Sequence, residues 1–241
     1  MTKPPIGQAP GKAAQVEAMF DEIAPRYDLL NRVLSFGIDR GWRREAVALL
    51  ADALDGPPSE ILDVATGTAD LAIEALSLGG TVVGVDLSDG MLDGGRAKLR
   101  QRGLGDRVTL VQGDATALPF DDDRFDGALV AFGVRNFENL VAGLEGIRRV
   151  LRPGAPLVVL EFSHPTAPVI KQGYAFYSRH VLPRIGKAVS GSSEAYEYLP
   201  ESVAAFPDGE DFLAVMREAG YRAPVAKPLT FGIASLYRGL A

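Results

Sequence analysis

Three acidic residues, Asp63, Asp86 and Asp114, lie in or just after three apolar runs that predict β-strands. In α/β proteins, ligands bind outside the carboxyl ends of parallel strands, so these carboxylates are expected at one ligand-binding edge. Asp86 ends its strand, where its carboxylate can accept both hydroxyls of an adenosine ribose. The three runs are 61–64, 81–85 and 108–111.

The turn after the first run contains small residues, Ala65, Gly67 and Ala69, and is followed by a helical pattern. A dinucleotide loop, Gly-x-Gly-x-x-Gly, uses bare backbone to hold a pyrophosphate. Here only Gly67 of that set is present, and the acids Asp63 and Asp70 would repel a pyrophosphate. They suit a cationic ligand such as S-adenosylmethionine, with its sulfonium and ammonium groups. The alternative is an ordinary α/β turn with solvated acids.

The segment after the third run, Gly113 to Phe120, predicts an adenine site. The Asp114 carboxylate can accept from the adenine amine, the Ala115 backbone N–H can donate to a ring nitrogen, and Leu118 and Phe120 can support the ring. The alternative is that Asp114 only caps a turn.

The composition narrows the classes of function. The chain has 241 residues, 47% of them hydrophobic, a net charge of −6, no cysteine and two histidines. No broad basic face for nucleic acid is indicated, and no zinc-thiolate or histidine-rich metal site is expected. We expect a cytoplasmic globular protein without a signal peptide.

Alternating apolar runs predict an α/β fold, a doubly wound, mostly parallel sheet with helices on both faces. We expect a disordered tail over 1–12 and a single domain over 13–241, with N-terminal helices over 13–58 and a helical lid over 163–207. The other predicted elements are helices over 16–23, 38–54, 140–151 and 209–219, strands over 128–132 and 157–160, and two short strands near 222–226 and 232–236.

Four segments resemble the ubiquinone/menaquinone biosynthesis C-methyltransferases, which are class I S-adenosylmethionine enzymes with a seven-stranded, Rossmann-like sheet. The resemblance spans about 16–239. The segments read MFDEIAPRYDLLNRVLSFGIDRGWRR; ILDVATGTADLA; ALPFDDDRFDGALVAFGVRNF with RRVLRPGAPLVVLEFS; and YEYLPESVAAFP with LTFGIASLYRG. The second occurs in many methyltransferases, whereas the others are typical of this family.

The resemblance implies roles for particular residues. Family cofactor contacts fall on Thr68, Asp86, Asp114 and Ala115, while Gly67 and Asp63 are added from the predicted geometry. Arg135 and Asn136, in the FGVRN segment after the fourth strand, are similar to family active-site residues. A surface arginine at a helix start is the alternative for Arg135. Residues that the resemblance or the predicted lid places near the substrate are His164, Tyr196, Tyr198, Ser202 and Phe206.

The implied substrate is a polyprenyl quinol, in the first instance demethylmenaquinol. Ionising a ring hydroxyl makes the adjacent carbon nucleophilic, and a phenol titrates near pH 10. Arg135 stays protonated, so it is expected to hold the developing oxyanion, with Asn136 donating beside it. The candidate bases are a water, His164 and Asp39, and the sequence does not distinguish among them.

Three positions depart from the family pattern: Asp39 replaces a usual histidine, Gly154–Ala155 replaces Gly-Gly, and Ala131 replaces a frequent serine. Other functions left open are methylation of a ubiquinol precursor or another small molecule, a non-catalytic S-adenosylmethionine-binding subunit, and a nicotinamide oxidoreductase. A polyprenyl substrate also implies transient contact with a membrane surface, and a homodimer is compatible with the sequence.

Overall fold

The computed structural model describes residues 11–35, 37–165, 167–176 and 194–241. Its centre is a seven-stranded sheet in the order β3-β2-β1-β4-β5-β7-β6. Neighbouring strands are parallel except β7, which is antiparallel to both β5 and β6. The strands are β1 Glu60–Val64, β2 Thr81–Asp86, β3 Val108–Gln112, β4 Gly127–Ala131, β5 Pro156–Phe162, β6 Arg222–Leu229 and β7 Ala234–Leu240.

The helices of the described residues alternate with the strands in the central part of the chain. Short 3-10 turns occur at several of the connections. The helices are α1 Lys12–Ile23, α2 Tyr27–Leu34, α3 Ile38–Ala51, α4 Asp70–Ala75, α5 Asp89–Arg102, α6 Leu140–Val150, α7 Pro168–Phe176, α8 Glu194–Ala205 and α9 Glu210–Glu218, and the 3-10 turns used below are Ala115–Ala117 and Val134–Asn136.

Helices cover both faces of the sheet. Successive side chains of a strand point to opposite faces, so neighbouring residues of β1 pack in different clusters. Leu62 and Val64 of β1 pack in one apolar cluster with α6 and α9. Ile61 packs in a second cluster with α3, α4 and α5. This arrangement confirms the predicted doubly wound α/β fold.

The strand order reverses at β1. The chain runs outward from β1 through β2 to β3, and then returns to place β4 on the other side of β1. Such a switch point opens a crevice at the carboxyl ends of the strands. The turn after β1, the end of β2 and the turn after β4 therefore meet at this crevice.

Several predicted bounds need correction. The two last strands are longer than predicted and run from Arg222 to Leu229 and from Ala234 to Leu240, because β7 pairs along most of its length with both neighbours. The predicted helix over 38–54 ends at Ala51, and the predicted helix over 16–23 begins earlier, at Lys12. Of the predicted lid, α7 and α8 are helical as expected, and residues 177–193 lie outside the described residues.

Candidate active site

A cavity lies at the carboxyl ends of β1, β2, β3 and β4. Its walls include the turn after β1, the residues after β2 and β4, and the N-terminal helix α1. Among the described residues that line it, four are acidic and none is Lys, Arg or His. The acidic lining residues are Glu17, Asp86, Asp114 and Glu138.

The turn after β1 is tight and in part strained. Ala65 and Ala69 adopt positive φ angles of 54° and 67°, and Gly67 has φ 55°. A left-handed conformation is costly for residues other than glycine. A Cβ atom on Gly133 would collide with Ala65 Cβ. Small residues are therefore required where this turn approaches the turn after β4.

Asp86 faces the cavity from the end of β2, as predicted. Its Oδ2 accepts from Gly67 N at 2.7 Å, and its Oδ1 accepts from Ser88 N at 3.0 Å. Burial raises the pKa of this carboxyl, and these backbone hydrogen bonds oppose the rise. A carboxylate has about four acceptor positions, so the two bonds leave acceptor capacity for a ligand.

Asp114 and Ala115 both line the cavity. Asp114 also caps the 3-10 turn that follows it, since its Oδ1 accepts from Thr116 N at 2.8 Å and from Thr116 Oγ1 at 2.9 Å. The capping role and the ligand-binding role that the sequence set against each other are therefore compatible in one side chain.

Asp63 does not line the cavity. Its side chain is buried, with Oδ2 accepting from Thr66 Oγ1 at 2.6 Å and Oδ1 lacking a hydrogen-bond partner among the described residues. Burial raises the pKa of Asp63 to about 7, against the opposing hydrogen bond from Thr66. The expected contact between this carboxylate and a cationic ligand is not part of this arrangement, because the strand turns Asp63 toward the same face as Ile61.

Thr68 and Asp70 also point away from the cavity. Thr68 Oγ1 donates to Asp28 Oδ1 at 2.5 Å and accepts from Lys98 Nζ at 3.1 Å. Asp70 contacts Lys98 Nζ at 2.6 Å and Arg43 at 3.5 Å. Burial opposes the ionisation of Asp70, but Lys98 and Arg43 lower its pKa overall. The charge of Asp70 is thus neutralised by neighbouring cations, and a cofactor contact of Thr68 stays a prediction.

Arg135 lies in the 3-10 turn after β4 and forms a buried ion pair. Its side chain is 7% exposed, and that of Glu161 on β5 is 0% exposed. Arg135 Nη1 lies 2.9 Å from Oε1 and 3.2 Å from Oε2 of Glu161 and also donates to the Phe132 carbonyl oxygen. Burial raises the pKa of Glu161, and the charge of Arg135 opposes this rise. The alternative of a surface arginine is wrong.

Asn136 lines the cavity, and its Oδ1 accepts from Tyr198 Oη at 3.0 Å. Ser202, one turn further along α8, accepts from Arg135 Nε at 3.3 Å. Helix α8 therefore contacts both residues of the predicted catalytic pair. Tyr198 and Ser202 are buried behind the pair and do not themselves line the cavity.

Of the remaining predicted substrate residues, His164 and Phe206 do not line the cavity, and neither does the candidate base Asp39. The His164 side chain is 46% exposed and its Nδ1 lies 3.1 Å from Asp208 Oδ2. Phe206 packs in the core, with its ring 5.0 Å from that of Phe212. Asp39 pairs with Arg43 at 2.7 Å. Tyr196 lies in α8, and its side chain is outside the described part of the structure.

Helix α1 forms a wall of the cavity that the sequence did not predict. Lys12 Nζ donates to the carbonyl oxygens of Arg135 and Phe137 at 3.1 and 3.0 Å. Asp21 Oδ1 accepts from Ser88 Oγ at 2.5 Å and from Gly90 N at 3.1 Å. The sequence signal for this contact was the polar residues in the first of the segments that resemble the family. A local pattern does not show which strand ends those residues contact. Cavity-lining residues from α1 and from the start of α2 are Ala13, Val16, Glu17, Phe20 and Tyr27.

No helix of the described chain has both the length and the apolar character needed to cross a bilayer.

The fold is that of S-adenosylmethionine-dependent methyltransferases. A solved S-adenosylmethionine-dependent methyltransferase from Thermotoga maritima superposes with a TM-score of 0.63 at 18% identity, covering 92% of this chain and 98% of that one. The [4+2]-cyclase SpnF superposes with a TM-score of 0.60 at 22% identity, covering 89% of this chain and 75% of that one. These likenesses define the fold and not the reaction.

Sequence comparison defines the family. A model of the ubiE/COQ5 methyltransferase family matches residues 9–241. A demethylmenaquinone methyltransferase from Deinococcus radiodurans is 48% identical, with 98% of this chain and 97% of that protein covered. The ubiquinone/menaquinone biosynthesis C-methyltransferase UbiE from Syntrophotalea carbinolica is 50% identical, with 92% of each chain covered. The chain belongs to the ubiE/COQ5 methyltransferase family, and S-adenosylmethionine is its cofactor.

Proposed function

We propose that the acid-lined cavity is the S-adenosylmethionine site, with Asp86 at the ribose and Asp114 and Ala115 at the adenine. The observation that carries this assignment is the lining itself, which has four acidic side chains and no cationic one among its described residues. A pyrophosphate would be repelled there, whereas a ligand with a sulfonium and an ammonium group is favoured. Gly67 supports the site by fixing Asp86 through its N–H.

Replacing Asp86 tests this assignment. Asp86→Ala removes a carboxylate acceptor and is expected to weaken S-adenosylmethionine binding by about 1.5–3 kcal/mol, measured by titration calorimetry. Asp93→Ala, which removes an exposed carboxylate from helix α5, is the matched control and should bind normally. Unchanged affinity in a folded Asp86→Ala variant would remove Asp86 from the site.

The chain is an S-adenosylmethionine-dependent C-methyltransferase of quinone biosynthesis, and its acceptor is a polyprenyl quinol. The name of the relative from Deinococcus radiodurans supports demethylmenaquinol as that acceptor. A ubiquinol precursor is the second candidate, because other relatives are named for both quinones.

The residues of the 3-10 turn after β4 stabilise the reactive form of this substrate. When bound, the cofactor supplies an electrophilic methyl group. The quinol must become a phenolate, whose parent phenol titrates near pH 10. Asn136, which lines the cavity, donates a hydrogen bond to the developing oxyanion. Arg135 lies behind it with its charge partly compensated by Glu161.

We infer that the charge of Arg135 also acts on groups in the cavity. Burial raises the pKa of Tyr27, a lining residue, and Arg135 is among the charges that oppose this rise. The same field favours a phenolate over a phenol in the substrate. Of the three candidate bases from the sequence, His164 and Asp39 do not line the cavity, so we favour solvent water among the three.

The deciding experiment is transfer of a labelled methyl group by the purified protein to demethylmenaquinol and to a demethylubiquinol, side by side. A clear preference for demethylmenaquinol is expected. A preference for demethylubiquinol would make a ubiquinol precursor the first candidate acceptor. No transfer to either quinol would favour a non-catalytic binding subunit.

The location of the enzyme and its lid belong to the same proposal. The polyprenyl tail of the acceptor requires an apolar path, for which residues 163–207 are the candidate lid over a single domain. We place the enzyme in the cytoplasm, with transient contact to a membrane surface during substrate capture, and a homodimer is compatible with this arrangement. Co-sedimentation with anionic lipid vesicles checks the membrane contact.

A further inference from the structure

Tyr198 makes one polar contact that reaches the reaction site. Its hydroxyl donates to Asn136 Oδ1 at 3.0 Å, across 62 residues of chain. The residue is 6% exposed and packs in an apolar cluster with residues of α1 and α5. This packing holds the phenol in place behind the cavity. The cluster contains Val16, Met19, Ile23, Met91 and Tyr198.

In this structure the contact occupies the acceptor end of the Asn136 amide. An amide has an acceptor oxygen at one end and two N–H donors at the other, and its terminal torsion alone does not distinguish them. Because Oδ1 is bonded to Tyr198, the remaining end of a side chain that lines the cavity is the donor Nδ2. A rotated amide would instead present an acceptor, which repels an anionic oxygen.

The chemistry of the Tyr198 hydroxyl suits this task. Burial raises its pKa, while the charge of Arg135 opposes the rise. The phenol therefore stays protonated at neutral pH and keeps the proton that it donates to Asn136 in this structure.

We propose that Tyr198 is a positioning residue, which orients the Asn136 amide so that its N–H groups face the acceptor oxygen of the substrate. The proposal rests on the role assigned to Asn136 in the proposed function. It requires no direct contact between Tyr198 and the substrate, and it replaces the substrate-binding role predicted from the sequence.

A double-mutant cycle tests the coupling. Tyr198→Phe removes only the hydroxyl, and it should lower kcat about tenfold with unchanged affinity for S-adenosylmethionine, since one hydrogen bond of about 1.4 kcal/mol is a factor of ten. Asn136→Ala should lower kcat by about 100-fold or more. The double variant should then equal Asn136→Ala, because without the amide the hydroxyl has nothing to orient.

Tyr221→Phe is the matched control. It removes a buried hydroxyl that donates to the Leu144 carbonyl oxygen at 3.0 Å, in the core, and it should retain normal kcat. The proposal would be overturned if the losses of kcat in Tyr198→Phe and Asn136→Ala multiply in the double variant, or if Tyr198→Phe has normal kcat. If both quinols fail with the wild-type protein, the proposed function has failed by itself.

A second measurement needs no turnover. The side-chain NH2 resonances of Asn136, identified by their loss in Asn136→Ala, should shift in Tyr198→Phe and stay in place in Tyr221→Phe. Unshifted resonances in Tyr198→Phe would show that the hydroxyl does not hold the amide and would overturn the proposal whatever the substrate is.

Discussion

At the residue scale, the side chains of the site divide into those that face the cavity and those that hold them from behind. Asp86 and Asn136 face it, and each already has a hydrogen-bond partner within the protein. Glu161 and Tyr198 lie behind the turn after β4 and are buried. Orientation of this kind is what allows a donor to stabilise charge without reorganising during the reaction.

The buried pair Arg135–Glu161 makes a prediction that separates stability from activity. Arg135→Ala leaves the Glu161 carboxyl buried without its cation, which is expected to cost about 3–5 kcal/mol of unfolding free energy. Adding Glu161→Gln should restore part of this stability, because a neutral amide needs no cation. Chemical denaturation measures the loss and the recovery of stability, and methyl transfer measures the activity of the same variants.

Activity should not return in the double variant if the charge of Arg135 serves the phenolate. The loss expected for Arg135→Ala is about 2.7–4 kcal/mol of transition-state stabilisation. Arg135→Lys should rescue it only in part, because lysine keeps the charge but not the planar fork. Recovery of activity together with stability in Arg135→Ala with Glu161→Gln would limit Arg135 to a structural role.

Asp63 makes a pH-dependent prediction. Burial raises its pKa in the folded protein to about 7 from a reference value of 3.8. Between these values the folded state holds a proton that the unfolded chain has released, so this group makes the unfolding free energy fall as pH rises from about 4 to 7. Asp63→Asn, which still accepts from Thr66, should lose this contribution and gain stability relative to the wild type as pH rises.

Denaturation of both proteins at several pH values measures the difference, in which the other titrating groups cancel. Parallel stability curves for Asp63→Asn and the wild type would show that Asp63 titrates normally. Such a result would mean that the carboxyl is hydrated or paired in the folded protein.

At the element scale, the sequence predicts what periodicity and strand ends encode. The bounds of β1 and β2 and the position of Asp86 follow from apolar runs that end in turn residues. The length of β6 does not, because this edge strand is largely exposed and contains Pro224 and Pro228, which argue against a strand. The role of α1 as a cavity wall depends on contacts with residues 67 to 125 positions away, which local patterns do not contain.

The contacts of α1 predict a coupling between this helix and cofactor affinity. Asp21→Ala removes the acceptor for Ser88 Oγ and Gly90 N, and the weaker attachment of α1 to α5 should reduce S-adenosylmethionine affinity about 3- to 10-fold, as expected for a hydrogen bond of about 1 kcal/mol. Titration calorimetry measures the affinity, and limited proteolysis within 12–23 should become faster.

Glu22→Ala, at the exposed neighbouring position of the same helix, is the matched control and should change neither. If the Asp21→Ala variant is cleaved faster but binds S-adenosylmethionine normally, α1 is a wall that does not contribute to affinity.

At the scale of the whole molecule, the fold brings acids from separate segments to one cavity, and no Lys or Arg of the described residues lines it. On the far side of the turn, Lys98 pairs with Asp28 and Asp70. Arg43 pairs with Asp39 and Asp70. Arg135 is held by Glu161. This charge distribution suits the proposed cationic, phosphate-free cofactor, and the proposed role of Arg135 is to supply the positive charge that favours an anionic substrate.

The separation of the acidic cofactor cavity from the cation Arg135 predicts a strict requirement for the reduced acceptor. Only the quinol has ring hydroxyls that can ionise to an electron-rich phenolate, and only a phenolate gains from the field of Arg135 and the Asn136 donor. Under anaerobic conditions without reductant, methyl transfer to oxidised demethylmenaquinone should be almost absent, and adding a reductant to the same reaction should start it. S-adenosylmethionine binding, measured in parallel with and without the reductant, should be the same. Equal transfer rates to the quinone and the quinol would exclude the phenolate as the nucleophile and, with it, the role proposed for the turn after β4.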